Sequence, residues 1–165
     1  TYSCHLFHIL HNSPLRYPGG KACLTKFFST IINANKPIDT FVEPFAGGCG
    51  LSLNLLISNQ VNRIILNEKD NDLYSFWYIL LNENDKLINR IKNTPITIDE
   101  YKKQRDVLYG KHNKQKSCFD IGFATFYLNR CNRSGILKGG PIGGWEQASK
   151  WKLDCRFNKK TLPCK

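Results

Sequence analysis

The chain has 165 residues, 41% of them hydrophobic, with a mean hydropathy of −0.39, which suits one globular domain or parts of two. No apolar run approaches the ~20 residues of a membrane-spanning helix, and the first residues lack the basic-then-apolar pattern of a signal peptide. The formal charge of +11 is uneven: residues 1–72 hold 6 Lys and Arg against 5 Asp and Glu, whereas residues 73–165 hold 18 against 8.

A polyanion is therefore expected on the second half, and nucleic acid is the first candidate because no amphipathic basic helix points to a membrane surface. The seven cysteines form no Cys-x-x-Cys pair. An odd, scattered set predicts free thiols in a cytoplasmic protein and no zinc site. Methionine is absent throughout, so the chain is expected to be a portion of a longer product.

Residues 1–13 read as an irregular terminal segment that holds His5, His8 and His11, and no metal site is expected there. From Leu24, the positions Leu24, Phe27, Phe28, Ile31 and Ile32 follow helical periodicity until residues 33–37 end it. Residues 38–43 read as a short buried strand. A glycine turn and a helix over 51–58 follow, then a second strand over 62–67. Beyond Asp70 the alternation of strand and helix stops. Helices are predicted over 71–81 and 85–91. Thr97-Ile98-Asp99-Glu100 caps another that runs to about Tyr109. Ser117 caps a fourth running towards Arg130, with Phe119, Phe123 and Phe126 on one face. Residues 132–158, rich in glycine and polar groups, read as a loop or hairpin.

Two glycine-rich segments carry most of the chemistry. Arg16-Tyr17-Pro18-Gly19-Gly20-Lys21 precedes Phe41-Val42-Glu43-Pro44-Phe45-Ala46-Gly47-Gly48-Cys49-Gly50. The second is a strand, a tight turn and a helix start, the way α/β proteins present backbone to a nucleotide-like cofactor. A phosphate-binding P-loop is excluded at Lys21, because Ala22 follows it and Leu15 stands where the first glycine belongs. Glu43 would repel a pyrophosphate at such a turn and would attract a cationic cofactor. Glu68 lies about 20 residues past the turn, the usual distance to a ribose-binding acid.

These segments, with Leu66-Asn67-Glu68, Tyr127-Leu128-Asn129-Arg130 and Asn132-Arg133-Ser134-Gly135, resemble in order the motifs of the Dam-type (D12 class) adenine-N6 DNA methyltransferases over about residues 14–160. The resemblance implies a Rossmann-like α/β sheet, of which this chain holds the first half, interrupted by a mostly helical target-recognition insert. The implied organisation is 1–72 for the cofactor domain, 73–160 for the basic insert and 161–165 for a tail.

It implies S-adenosylmethionine as cofactor and double-stranded DNA as partner, with no metal, no membrane and a monomeric state. A restriction–modification or DNA-marking role follows, with a restriction endonuclease as possible functional partner. Tyr17 and Lys21 would stand near the methionine end of the cofactor, which Glu43 would face. Phe45, Gly47 and Gly48 would line its pocket, and Glu68 would bind both ribose hydroxyls. Asn129, Arg130, Asn132 and Arg133 would contact DNA, as Arg–guanine and Asn–adenine pairs do.

Two departures stand out. Arg133-Ser134 replaces the aromatic–polar pair of some relatives, and the family's catalytic Asp-Pro-Pro-Tyr tetrapeptide is absent. The chain alone is therefore expected not to methylate DNA. The alternative is a truncated, non-catalytic DNA-binding module. Trp145 and Trp151 fit either packing of the hairpin or contact with DNA.

Overall fold

The computed structural model describes residues 13–110, 116–157 and 159. The three N-terminal histidines lie outside that set. The chain divides into two compact units, Thr1–Lys69 and Asp70–Lys165.

The first unit is mixed α/β. A 3-10 turn at Lys21–Leu24 leads into α1 (Thr25–Ala34). Next come β1 (Thr40–Glu43), α2 (Gly50–Ile57) and β2 (Arg63–Leu66). The two strands pair in parallel from Thr40↔Arg63 to Glu43↔Leu66, so α2 is the crossover that parallel pairing requires. At their start, Asn62 and Arg63 N–H both donate to Asp39 O (2.9 and 3.1 Å). The Asn62 side-chain amide donates to the Asp39 carboxylate (2.8 Å).

Ile32, Leu51, Leu55 and Val61 form the core, with Phe28, Ile38, Phe41 and Ile64 packed against it. Strand alternation places Phe41 and Ile64 on this side and Val42 and Ile65 on the other. The short buried strand expected over 38–43 is thus covered on one face only. Val42 and Ile65 are 51% and 47% exposed, because the core cluster covers a single face of the sheet.

The second unit is helical: α3 (Asn71–Asn82), α4 (Asn84–Asn93), α5 (Ile98–Tyr109) and α6 (Cys118–Cys131). Three helices start on side-chain caps that satisfy orphan backbone donors. Asp70 accepts from Asp72 and Leu73 N–H, Thr97 from Glu100 N–H, and Ser117 from Asp120 N–H.

Helix α6 is the axis of the unit and is buried from Gly122 through Asn129. A helix apolar around its circumference belongs inside a bundle. Gly122 lets it approach α3 closely: a Cβ there would lie 2.5 Å from Ser75 O and 2.8 Å from Ile79 Cδ1. Phe126 stacks on Phe76 with ring centroids 5.7 Å apart and meets Phe157 edge-on at 5.5 Å. The segment after α6 folds back through an antiparallel bridge, Asn132↔Pro141. Ile142 N–H donates to Cys131 O (2.8 Å) and Arg133 N–H to Gly140 O (3.1 Å).

Among the described residues, no helix is long and apolar enough to cross a membrane. No group of three or more His, Cys, Asp or Glu is poised to hold a metal ion among them.

Candidate cofactor site and nucleic-acid interface

Parallel strands end at the same edge, so β1 and β2 deliver residues 44–50 and 67–68 side by side. Backbone bonds tie the two exits together. Asn67 N–H donates to Glu43 O (3.0 Å) and Ala46 N–H to Asn67 O (2.9 Å). The Asn67 amide donates to Pro44 O (2.9 Å).

The turn then reverses through Gly47, at φ +52°, and Cys49, at φ +51°. Tyr17 lies across it. A Cβ on Gly47 would sit 3.0 Å from Tyr17 Cε1, and one on Gly48 only 2.7 Å from Tyr17 Cβ. The two glycines are therefore required for close approach as well as for conformation. Ser13 closes the turn from beneath, its hydroxyl donating to Gly48 O and accepting from Leu15 N–H (3.1 Å).

Glu68 is half-buried at the end of β2, and its Oε2 accepts the Gly47 N–H at 2.7 Å. This bond joins the acid predicted for a ribose to the glycine turn predicted for the rest of a cofactor. Phe45, 75% exposed, and Tyr17, 44% exposed, offer open aromatic surface beside it.

Glu43 is 3% exposed. One carboxylate oxygen accepts the Ser52 hydroxyl from the first turn of α2. The other faces the Lys21 ammonium at 3.0 Å, as an ion pair rather than a directed hydrogen bond. Lys21 Nζ also donates to Phe45 O at 2.6 Å. The cation beside Glu43 is thus the protein's own, and it fastens the first glycine segment to the second. Burial first, then the Glu43 and Glu68 carboxylates, push the Cys49 thiol far above its ordinary value. Cys49 is consequently a protonated packing group with little nucleophilicity.

In the second unit the four residues predicted to meet DNA separate into two kinds. Asn129 is 1% exposed and donates to Gly135 O (2.9 Å). Asn132 is fully buried; its amide donates to Ile136 O and Leu137 O (both 2.8 Å), and its Oδ1 accepts the Tyr101 hydroxyl (2.7 Å). Both asparagines hold the loop from within. Arg133 is exposed, followed by Ser134 at φ +55°. Arg130 is half-buried, its guanidinium 5.8 Å from the Phe126 ring centroid.

Trp145 meets Tyr101 edge-on at 5.6 Å with Arg105 over its face, and remains 47% exposed. Trp151 is 62% exposed beneath Lys150. Lys159 donates to Lys92 O (3.0 Å) and Thr94 O (2.6 Å), which ties the distal chain to the end of α4. Cations suit helix C-termini.

Ser13, Ser52 and Tyr101 escape a reading of the sequence. Each acts on a residue distant along the chain, and no local pattern marks a serine or tyrosine for such work.

The family model for D12 class N6 adenine-specific DNA methyltransferases matches residues 17–160. No individual curated protein matches the chain. The match spans the tyrosine over the glycine turn, both acids and the loop after α6. The chain belongs to the D12 class N6 adenine-specific DNA methyltransferase family.

Proposed function

We propose that the first unit binds S-adenosylmethionine at the β1–β2 edge, and that the basic second unit binds duplex DNA, as part of an adenine-N6 methyltransferase. The single observation that carries this is the Glu68–Gly47 hydrogen bond, which sets the acid we assign to a ribose against the glycine turn. The residues fit the cofactor. A carboxylate suits two vicinal hydroxyls, the open Phe45 ring offers a stacking face, and Gly47 and Gly48 keep side chains out of the turn. Lys21 is assigned to holding the turn against Glu43, and Tyr17 to covering it.

The parallel pairing, the helical crossover and the open Val42–Ile65 face support a Rossmann-like sheet, since parallel sheets are normally covered on both faces. The cofactor supplies an electrophilic methyl group, and adenine is reached by turning the base out of the duplex. Arg130 and Arg133 are assigned to DNA, and Asn129 and Asn132 to shaping the loop that presents Arg133. The Asp-Pro-Pro-Tyr motif that would hold the adenine amine is not in this sequence. No step at the base is therefore given to a residue of this chain.

The test is calorimetric titration of the chain with S-adenosylmethionine. Glu68→Ala removes a charged hydrogen-bond partner and should weaken binding by about 1.5–3 kcal/mol. Equal affinities for the two proteins would remove the cofactor site from this edge. Salt-sensitive duplex binding without any cofactor binding would favour the non-catalytic DNA-binding module.

A further inference from the structure

The buried face of the loop after α6 carries a polar chain that the family match does not explain. Tyr101, on α5, is fully buried, and its hydroxyl reaches 31 residues along the sequence to Asn132 Oδ1 at 2.7 Å. It also stands 3.3 Å from Gly139 O. A phenol has one hydrogen, and the shorter contact to Asn132 takes it.

Receiving that hydrogen fixes which way the Asn132 amide points. Its two N–H groups are then directed at the carbonyls of Ile136 and Leu137. The Asn129 amide likewise donates to Gly135 O. Three consecutive carbonyls of the loop are thus held by two buried amides, one of them oriented by a hydroxyl on a different helix. On the solvent side the same loop exposes Arg133, Ser134, Ile136 and Lys138. The left-handed backbone of Ser134 (φ +55°) is the kind of conformation that surrounding structure must enforce.

We propose that Tyr101 is a positioning residue for DNA sequence discrimination: its hydroxyl locks Asn132, and Asn132 locks the loop that presents Arg133 to the bases. This rests on the assignment of DNA to the second unit. Base-edge hydrogen bonds need a fixed side-chain origin, whereas phosphate contacts tolerate displacement. Loss of the hydroxyl should therefore reduce sequence preference and leave non-specific affinity in place. Burial raises the Tyr101 phenol above its ordinary value, so the hydroxyl stays a donor throughout the neutral range.

The experiment selects bound sequences from a pool of duplexes with a randomised centre, using the full chain, Tyr101→Phe and Tyr127→Phe. The last is a control that removes another buried hydroxyl, one whose hydrogen goes to Pro95 O (3.0 Å) and not to a loop group. The unaltered chain should enrich a motif. Tyr101→Phe should enrich it about tenfold less, with unchanged affinity for the unselected pool and an unchanged salt slope. Tyr127→Phe should keep full enrichment even if its melting temperature falls as far.

Equal enrichment by Tyr101→Phe and the unaltered chain overturns the positioning role while the DNA assignment stands. Equal losses in both variants make the effect one of stability and also overturn it. A chain that binds no duplex overturns the DNA assignment and this role with it.

Discussion

At the scale of single residues, the pair Lys21–Glu43 decides how the first unit is held. A buried carboxylate with one oxygen on Ser52 and the other on an ammonium is stable only while both partners remain. Lys21→Met leaves that charge uncompensated, and the variant should lose on the order of 2 kcal/mol, less than a fully buried pair because Lys21 is partly open to solvent. Adding Glu43→Gln removes the orphaned charge and should restore most of the loss in urea unfolding at neutral pH. A double variant as unstable as Lys21→Met alone would show that the ion pair is incidental.

The charges at this site also show where the sequence is legible. Glu43, Lys21 and Glu68 stand out as charged residues beside glycines, and the structure gathers all three around one turn. Their partners leave no local mark in the sequence. Nothing local distinguishes Ser52 as a donor to Glu43, and nothing marks the cation facing Glu43 as Lys21.

At the scale of elements, periodicity and helix caps mark the helices of the second unit. The helix expected over 71–81 is found at Asn71–Asn82, that over 85–91 at Asn84–Asn93, and the one capped by Thr97 ends at Tyr109. The helix behind Ser117 runs Cys118–Cys131. These signals are local, and local signals survive in a single sequence. The 3-10 turn at Lys21–Leu24 and the one-sided burial of β1 are tertiary outcomes without such a signal.

Helix α6 shows what element packing adds. Its three phenylalanines suggest an amphipathic helix, yet it is buried on nearly all sides. Gly122→Ala should gain ~1 kcal/mol of helix propensity. It should lose more to the clash with the Ser75 carbonyl, which is backbone and moves only if α3 moves. A net destabilisation on the order of 2 kcal/mol is expected by thermal unfolding. A stabilised Gly122→Ala would mean that α3 and α6 pack more loosely than the structure has them.

At the scale of the whole molecule, charge divides as the fold divides. The first unit, built around a pair of parallel strands, holds 6 Lys and Arg against 3 Asp and Glu, a net of +3, and the helical second unit holds 18 against 10, a net of +8. The charge count separates a weakly charged half from a strongly basic one. It did not separate side chains that face solvent from those that build the loop. Asn129 and Asn132 carry the amide groups that read adenine in other proteins, and here those amides grip backbone carbonyls. Lys159 likewise carries charge but ends on helix carbonyls. Among the described residues, the loop itself exposes the basic groups Arg133 and Lys138, and phosphate-driven, salt-sensitive binding is expected to involve them.

The central claim is that two ligands go to two units, and amide hydrogen exchange of the chain tests it most directly. S-adenosylmethionine should slow exchange over residues 43–50 and 67–68 and leave 130–142 unchanged. A duplex DNA pool should slow exchange over 130–142 and leave the glycine turn unchanged. Protection of 130–142 by the cofactor, or of the glycine turn by DNA, would contradict the account.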